Sequence, residues 1–485
     1  MSVQHHVIRR EVLKAAVEGT EADGLTLHRR LAALCNDWLA PALEKALSRI
    51  APADEHWIVE RLEVDAGSFT PDLLERNFVN AVAAAVEQQI RERTAVGGTL
   101  RQGTDARGDE GPAAREAFGA IRRLSGAQSI EEAVAYFLAT GALPWWFGLP
   151  AGETLESVAT AALFADGSSA YRGAGLIEAI ATPAARTRLV RQFSAPFLET
   201  LLERLSPRAA SIARAIAMEI ARLAPQSEQR HALSERLWST ALALAAARRA
   251  ITTKRLIAEW AGAFSRDDKP ERNLVFRIAR LFDAPLPDGQ AEESSRRAGA
   301  ETHAAGNGLA PGASSPHLNL HEGVFVTCAG IVLLHPFLPA LLERLAIAAE
   351  GTLLRPDRAL GIFHFLATGE RRAPEHALVL AKLLCGLPLE EPTGAPFDLT
   401  EDEAAEANAV LNAVIGHWDA LGGASPDALR GTFLTRPGKL SRRGEDDLLQ
   451  VEPQSFDLLL DRLPWGIGAI RLPWMRRMLW VEWRM

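Results

Sequence analysis

The residues best suited to metal chemistry are histidine, cysteine and glutamate side chains in the last third of the chain. They are His335, His364, Glu375, His376, Cys385 and His417. Imidazole, thiolate and carboxylate groups bind zinc when a fold gathers several of them. Their spacings match no known pair of zinc ligands, and scattered histidines usually form hydrogen bonds in the core or at helix ends. We therefore predict structural roles and no metal site, with a zinc-dependent hydrolase as a remote alternative.

Motifs of nucleotide hydrolysis and serine catalysis are missing from the sequence. The only Gly-Lys pair, Gly438-Lys439, is followed by Leu440, where a phosphate-binding loop needs serine or threonine. Neither HExxH nor GxSxG occurs. We predict no catalytic residue and no cofactor, and we interpret the chain as non-enzymatic.

Tryptophan and arginine concentrate at the C-terminal end. Four of the 11 tryptophans fall in the last 21 residues, and residues 461–485 contain five arginines and two acids, a net charge of +3 in a chain of −8. Exposed tryptophan and arginine dominate the energetics of many protein interfaces. The alternative is that these tryptophans fill the core of a small β unit. The candidate partner-binding residues are Trp465, Trp474, Arg476, Arg477, Trp480 and Trp483.

Two short motifs recur along the chain. Leu-Pro-Trp occurs at 143–145, 463–465 and 472–474, and Phe-Leu-Ala-Thr-Gly occurs at 137–141 and 365–369. In the second motif an apolar helix end meets glycine, as a helix C-cap requires. The repeat indicates either a duplicated helical hairpin or convergent capping.

Composition predicts a folded, soluble protein of about three domains. The net charge of −8 disfavours nucleic-acid binding. Three widely spaced cysteines provide no disulfide framework and indicate a reducing compartment. The first residues lack an apolar signal core, and the most apolar stretch, 331–349, is interrupted by prolines and charges. We therefore expect a cytoplasmic protein without membrane insertion.

Two segments poor in large apolar residues, 97–113 and 287–317, divide the chain. Each contains a single leucine, so it buries too little apolar surface to offset the entropy of ordering. We predict flexible linkers there. The blocks around them are predicted domains at 1–96, 114–286 and 318–485.

Apolar periodicity predicts a small α+β domain in the first block. Large apolar residues recur at helical spacing over 25–50, and alternation indicates a strand over 57–64. A further helix is predicted to start at Thr70-Pro71-Asp72.

The other two blocks are predicted to be largely helical. Residues 114–286 contain no strand-like run, and one helix is expected to start at a capping box of Ser129 and Glu132. Residues 318–485 begin with helices, one of them after a capping box of Thr400 and Glu403, and end in a short β-rich segment. The predicted fold is mainly α: a multi-domain helical array with a small N-terminal α+β unit.

An ordered series of motifs fills the C-terminal block, and shorter ones lie at 6–10, 61–65 and 137–146. The series comprises residues 331–337, 365–370, 374–376, 380–386, 414–418, 429–434, 436–440, 463–468 and 472–475. It resembles the contractile injection system tape measure protein family. The resemblance covers both ends of the chain.

The resemblance implies a structural part of a phage-tail-like particle that drives a tube into a target cell. A tape measure occupies the lumen of the growing tube and sets where tube and sheath polymerisation stop. The implied partners are tube, spike or baseplate proteins, without nucleic acid. The implied location is the cytoplasm during assembly and the interior of the particle afterwards.

The composition departs from that of an extended ruler. One continuous helix of this length would reach about 730 Å. The 27 prolines and 37 glycines predict compact domains instead. The alternative role within the same particle is a compact assembly scaffold, baseplate adaptor or cargo-loading factor.

Overall fold

The computed structural model divides the chain into two compact units, Met1–Ile130 and Glu131–Met485. The predicted linkers fall outside the described residues, except for His317, and the three predicted domains stay a prediction. The structure describes residues 6–8, 11–52, 55–70, 72–96, 121–150, 152–164, 174–224, 226–265, 267–284, 317–394 and 398–483.

Three helices form the core of the first unit. They are α1 (Glu21–Leu34), α2 (Ala40–Ile50) and α3 (Leu74–Val96), with a π-helical turn at Cys35–Leu39 between the first two. Thr20 caps α1, because its hydroxyl accepts a hydrogen bond from the Asp23 N–H and its own N–H donates to the Asp23 carboxylate. The helices bury Leu31, Leu34, Leu39, Leu43, Ala46, Leu74, Phe78, Val82 and Ala83 between them.

A two-stranded antiparallel sheet of β1 (Glu55–Val59) and β2 (Ile121–Ser125) completes the first unit. The predicted strand over 57–64 is therefore shifted and shorter, and the expectation of helices throughout 114–286 is wrong at β2. The two arginines inside β2 hide its alternation from a sequence pattern. One of them, Arg123, places its guanidinium 4.9 Å from the centre of the Trp57 ring across the sheet.

Nine α-helices follow among the described residues up to 284. Ser125 and Gln128 cap the first of them, so the capping box predicted at Ser129 and Glu132 is wrong, and Ser129 is buried. The helices are α4 (Gly126–Thr140), α5 (Leu155–Leu163), α6 (Ala174–Ile180), α7 (Pro183–Gln192), α8 (Ala195–Leu205), α9 (Pro207–Leu223), α10 (Ser227–Ala246), α11 (Thr253–Gly262) and α12 (Lys269–Leu281).

The C-terminal part begins with short helices and a small hairpin. The capping box of Thr400 and Glu403 is confirmed at the start of its long helix. The α-helices are α13 (Leu338–Arg344), α14 (Pro356–Thr368), α15 (Val379–Leu384), α16 (Glu401–His417) and α17 (Pro426–Leu429). The 3-10 helices are Ala329–Leu334, Glu375–Ala377, Asp419–Leu421 and Ser455–Arg462, and a π-helical turn lies at Arg430–Leu434.

A five-stranded sheet closes the second unit. The strands of the C-terminal part are β3 (Val324–Val326), β4 (Ala348–Ala349), β5 (Thr352–Leu353), β6 (Gly438–Arg443), β7 (Asp446–Val451), β8 (Ala469–Ile470) and β9 (Leu479–Trp483), of which β4 and β5 pair separately. The order in the five-stranded sheet is β3-β6-β7-β9-β8, and all neighbours are antiparallel except the parallel pair β7 and β9. The predicted mainly α fold with a short β-rich C-terminal segment is confirmed.

Both copies of Phe-Leu-Ala-Thr-Gly end a helix in the same way. Gly141 and Gly369 each have a φ of +80°, the left-handed conformation of a helix C-cap. The carbonyl three residues before each glycine accepts a hydrogen bond from a buried arginine, Arg188 in the first copy and Arg430 in the second. Both copies therefore share the glycine cap and an arginine contact at the helix end. Separately, none of the described helices is long and apolar enough to cross a membrane.

Candidate partner-binding surface

The C-terminal sheet is built on a buried arginine. The Arg436 guanidinium forms an ion pair with Asp457, and both side chains are fully buried. The same guanidinium donates to the carbonyls of Thr432 and Glu452. Arg436 therefore joins the π-helical turn, the end of β7 and the following 3-10 helix at one point beneath the sheet.

One face of the five-stranded sheet is buried, and the other is open. Successive side chains of a strand point to opposite faces. The inner face contributes buried residues to the core of the C-terminal part: Val324, Val326, Leu440, Leu449, Val451, Leu479 and Val481. The outer face carries exposed or half-buried residues, which we call the open sheet face: Phe325, Lys439, Ser441, Arg443, Leu448, Gln450, Trp480 and Glu482.

Trp480 lies on β9, between β7 and the edge strand β8, and is 39% exposed. Its indole N–H donates to Asp446 Oδ2 at 3.1 Å, and the Arg443 guanidinium lies 5.7 Å from its ring centre. The strand register places Leu448 opposite it on β7. These contacts fix the orientation of the indole, and part of its ring stays accessible to solvent. A partner could therefore bind to this ring without reorienting it.

Trp465 and Trp474, the tryptophans of the two C-terminal Leu-Pro-Trp motifs, are half-buried against the core. The Trp465 indole N–H donates to the Leu333 carbonyl at 3.0 Å, and the Trp474 indole N–H donates to the Leu384 carbonyl at 2.8 Å. Both carbonyls lie at the C-terminal end of a short helix, where backbone acceptors lack intrahelical partners. Each motif thus caps a helix end.

Trp483 is half-buried at the end of β9, with the Arg436 guanidinium 5.5 Å from its ring centre. Its indole N–H is buried and has no hydrogen-bond partner within the described part of the chain. An unsatisfied buried donor costs free energy.

Arg476 and Arg477 are exposed in the turn between β8 and β9. Arg477 interacts electrostatically with Asp447 of β7. Burial raises the pKa of the Asp447 carboxyl, and the positive charges of Arg442 and Arg477 oppose that rise. The predicted candidates therefore separate by environment. Trp480 and the two arginines are exposed, whereas Trp465, Trp474 and Trp483 are half-buried.

Two apolar residues on the 3-10 helix Ser455–Arg462 are exposed, although their sequence pattern does not indicate it. Phe456 is 58% exposed and Leu458 is 68% exposed, while Asp457 between them points inward to Arg436. The buried ion pair thus forces both apolar neighbours outward. The alternation of Phe, Asp and Leu is typical of an amphipathic strand with its apolar residues in the core. The sequence pattern alone therefore does not show that these two apolar residues are exposed.

The histidine, cysteine and glutamate residues considered for zinc are not brought together. Among the described residues, no group of three His, Cys, Asp or Glu side chains is arranged to hold a metal ion. Glu375 instead contacts Arg188 and Lys382, and the Cys385 thiol is buried, which raises its pKa.

Each of the four candidate histidines has neighbours that give it a structural role. The His335 ring contacts the Val332 carbonyl, and the His417 ring lies 6.0 Å from that of Phe337. Burial lowers the pKa of His364, and the Glu370 carboxylate opposes that fall. Burial and the charge of His364 together lower the pKa of His376 to about 4. Neutral histidines of this kind fill the interior.

Comparison with known proteins identifies one family. A family model described as contractile injection system tape measure protein matches residues 5–483. No curated protein and no solved structure matches the chain.

Proposed function

The chain belongs to the contractile injection system tape measure protein family, and we propose that it is the tape measure which sets tube and sheath length in its particle. The single observation that carries the proposal is a family match over nearly the whole chain, residues 5–483. The family is structural rather than catalytic. We therefore propose a non-enzymatic role, with assembly in the cytoplasm followed by a place inside the finished particle.

Partners of a tape measure belong to the same particle. We propose tube, spike or baseplate proteins as direct partners, and the open sheet face with Arg476 and Arg477 as the surface that binds them. Trp480 supports this surface, because a ring already held by Asp446 and Arg443 loses little conformational entropy on binding. The local charge of +3 over 461–485 favours an acidic partner surface.

The described helices are short in comparison with a ruler. The longest regular α-helix among them, α3, has 23 residues and spans about 35 Å. A role in length control therefore requires that compact parts of the chain separate or unfold during assembly.

Assembly of particles without this chain tests the proposal. A tape measure predicts tubes and sheaths of unregulated, broadly distributed length when the chain is deleted, and a single length when it is restored. Deletion particles with the normal, narrow length distribution would instead assign the chain to an adaptor or scaffold role.

A further inference from the structure

A polar junction connects residues 131–284 with residues 317–483 inside the second unit. On one side lie the end of α4 and the last turns of α7, and on the other lie residues 374–393. Its centre is a cluster of three buried charged side chains, which we call the charge cluster: Arg188, Glu375 and Lys382.

Arg188 reaches across the junction from α7 with a fully buried side chain. Its Nε donates to Glu375 Oε1 at 3.0 Å, and its Nη2 donates to the Glu390 carbonyl at 2.7 Å. Its Nη1 donates to the Leu138 carbonyl at the end of α4. A single guanidinium therefore connects two helices of the first side to two points of the second.

Lys382 approaches the same carboxylate oxygen from α15. Its Nζ donates to Glu375 Oε1 at 2.8 Å and to the carbonyls of Leu389 and Glu391 at 3.1 and 2.6 Å. Two cations thus share one carboxylate. The second oxygen, Oε2, is buried without a hydrogen-bond partner among the described residues.

Neighbouring contacts across the junction are also polar. The Glu375 backbone N–H donates to the Gln192 side-chain oxygen at 3.0 Å, and Arg191 donates to the Thr393 carbonyl at 3.0 Å. Gly141 leaves room for the cluster, because a Cβ there would lie 2.8 Å from Glu375 Oε1.

Few apolar contacts cross the junction. In the described part of the chain, Ala142 is the only buried member of the C-terminal core that comes from residues 131–284, Tyr136 packs partly buried against that core, and the Phe137 ring centre lies 6.0 Å from that of His376. The helices on the other side have apolar contacts of their own, such as the Phe193 and Phe197 rings, whose centres are 4.6 Å apart. Separation of the two sides would therefore leave most of each core intact.

We infer that this junction is a latch: the charge cluster holds residues 131–284 and 317–483 together, and its release lets them separate without unfolding of either part. Buried ions are stable only as a complete set, because removal of one partner leaves an uncompensated buried charge. Polar interfaces between parts of a chain also permit relative motion more readily than large apolar ones.

Release of the latch would let the two folded parts move apart as far as the backbone between them allows. Residues 285–316 connect the two sides, and the backbone between Ala284 and His317 has a fully extended reach of roughly 110 Å. A tape measure with this device extends by separation of folded parts. The latch itself does not depend on that role, and its test needs no particle, so its failure leaves the proposed function standing.

Hydrogen exchange of the full wild-type chain tests whether the latch opens separately. The Glu375 amide reports directly, since its hydrogen bond to Gln192 crosses the junction. We expect the peptide that contains this amide to exchange at least about tenfold faster than peptides from α10 and α16, which lie in the two cores. Equal protection of all three peptides would show that the junction opens only with global unfolding and would overturn the inference.

Variants of the full chain provide the second test. Glu375→Gln leaves both cations without their carboxylate, so we expect a larger radius of gyration in solution scattering and loss of protection at residues 374–379. Glu343→Gln is the matched control, because that glutamate is exposed on α13. The double variant Glu375→Gln/Lys382→Met also removes one cation and should be closer to wild type than Glu375→Gln alone. Glu375→Gln indistinguishable from the control would overturn the latch. If that variant fails to fold, the wild-type exchange decides.

Discussion

Arg436 Nη2 lies 2.8 Å from both carboxylate oxygens of Asp457, and neither side chain is accessible to solvent. The pair joins the segment before β6 to the 3-10 helix that follows β7. Its position explains why Phe456 and Leu458 face outward, since the acid between them must face the arginine. A buried ion pair thus determines which apolar residues are offered to a partner.

Removal of the acid from this pair should strongly destabilise the C-terminal part. Asp457→Asn leaves the Arg436 charge buried without a counter-ion, which typically costs about 3–5 kcal/mol. Urea unfolding followed by tryptophan fluorescence measures the loss. Asp461→Asn, an exposed acid on the same 3-10 helix, is the control and should change stability by less than about 0.5 kcal/mol. Equal effects of the two substitutions would contradict the account of Arg436.

Acid should destabilise the second unit through His376. Burial, with the nearby His364, lowers its folded-state pKa from 6.5 to about 4. The unfolded chain therefore takes up the proton first as pH falls. The stabilising effect is fully present above pH 6.5 and is lost between pH 6.5 and 4, up to about 3 kcal/mol.

His376→Gln should remove that share of the pH dependence. At pH 5 the wild type should lose about 2 kcal/mol more than this variant relative to pH 7.5. Thermal or urea unfolding at the two pH values measures the difference. His231→Gln, at a 57% exposed histidine, should retain the wild-type slope. A variant slope equal to that of the wild type would assign the pH dependence to other groups.

Charge reversal beside the open sheet face should weaken binding to the particle. Arg476→Glu/Arg477→Glu replaces exposed positive charge, and we expect at least about tenfold weaker co-purification with tube, spike or baseplate proteins. Arg248→Glu/Arg249→Glu, another adjacent exposed pair, is the matched control. Because Arg477 interacts with the Asp447 carboxyl, the unfolding midpoints of the variant and the wild type are compared first, to show that the variant is stably folded. Normal incorporation of a stable variant would remove this surface from the proposal.

The predicted domains should appear in limited proteolysis. Cleavage is expected first within 97–113 and 287–317, because these segments contain almost no large apolar residues. Three resistant fragments should result, identified by mass. Early cuts within 400–480 would show that the predicted boundaries are misplaced.

Local signals were readable from the sequence. The capping box of Thr400 and Glu403 and the glycine caps at 141 and 369 depend on residues within one helical turn, and all are present. At the start of α4 the predicted box lies four residues too late, at Ser129 instead of Ser125. The structure uses Ser125 because that residue also ends β2, where pairing with a distant strand decides the boundary.

Contacts between residues far apart in the sequence could not be predicted from local patterns. The Leu-Pro-Trp motif is visible in sequence, but its function depends on carbonyls 132 and 90 residues away. Arg188 and Glu375 are 187 residues apart and have no pattern that links them. Trp480 was a candidate by residue type, whereas Phe325 joins the same face only through the strand order of the sheet.

Particle length is the most direct measurement of the central claim. We would insert 40 helix-forming residues beside Gly306, within the predicted linker, and measure intact particles by electron microscopy. A tape measure should lengthen the tube by up to about 60 Å, because each helical residue adds 1.5 Å. The same insert at the exposed turn of Gly422 and Gly423 controls for added mass and should leave the length unchanged, since that turn joins helices of one core. Particles that contain the Gly306 insertion variant at the wild-type length would contradict the tape measure role.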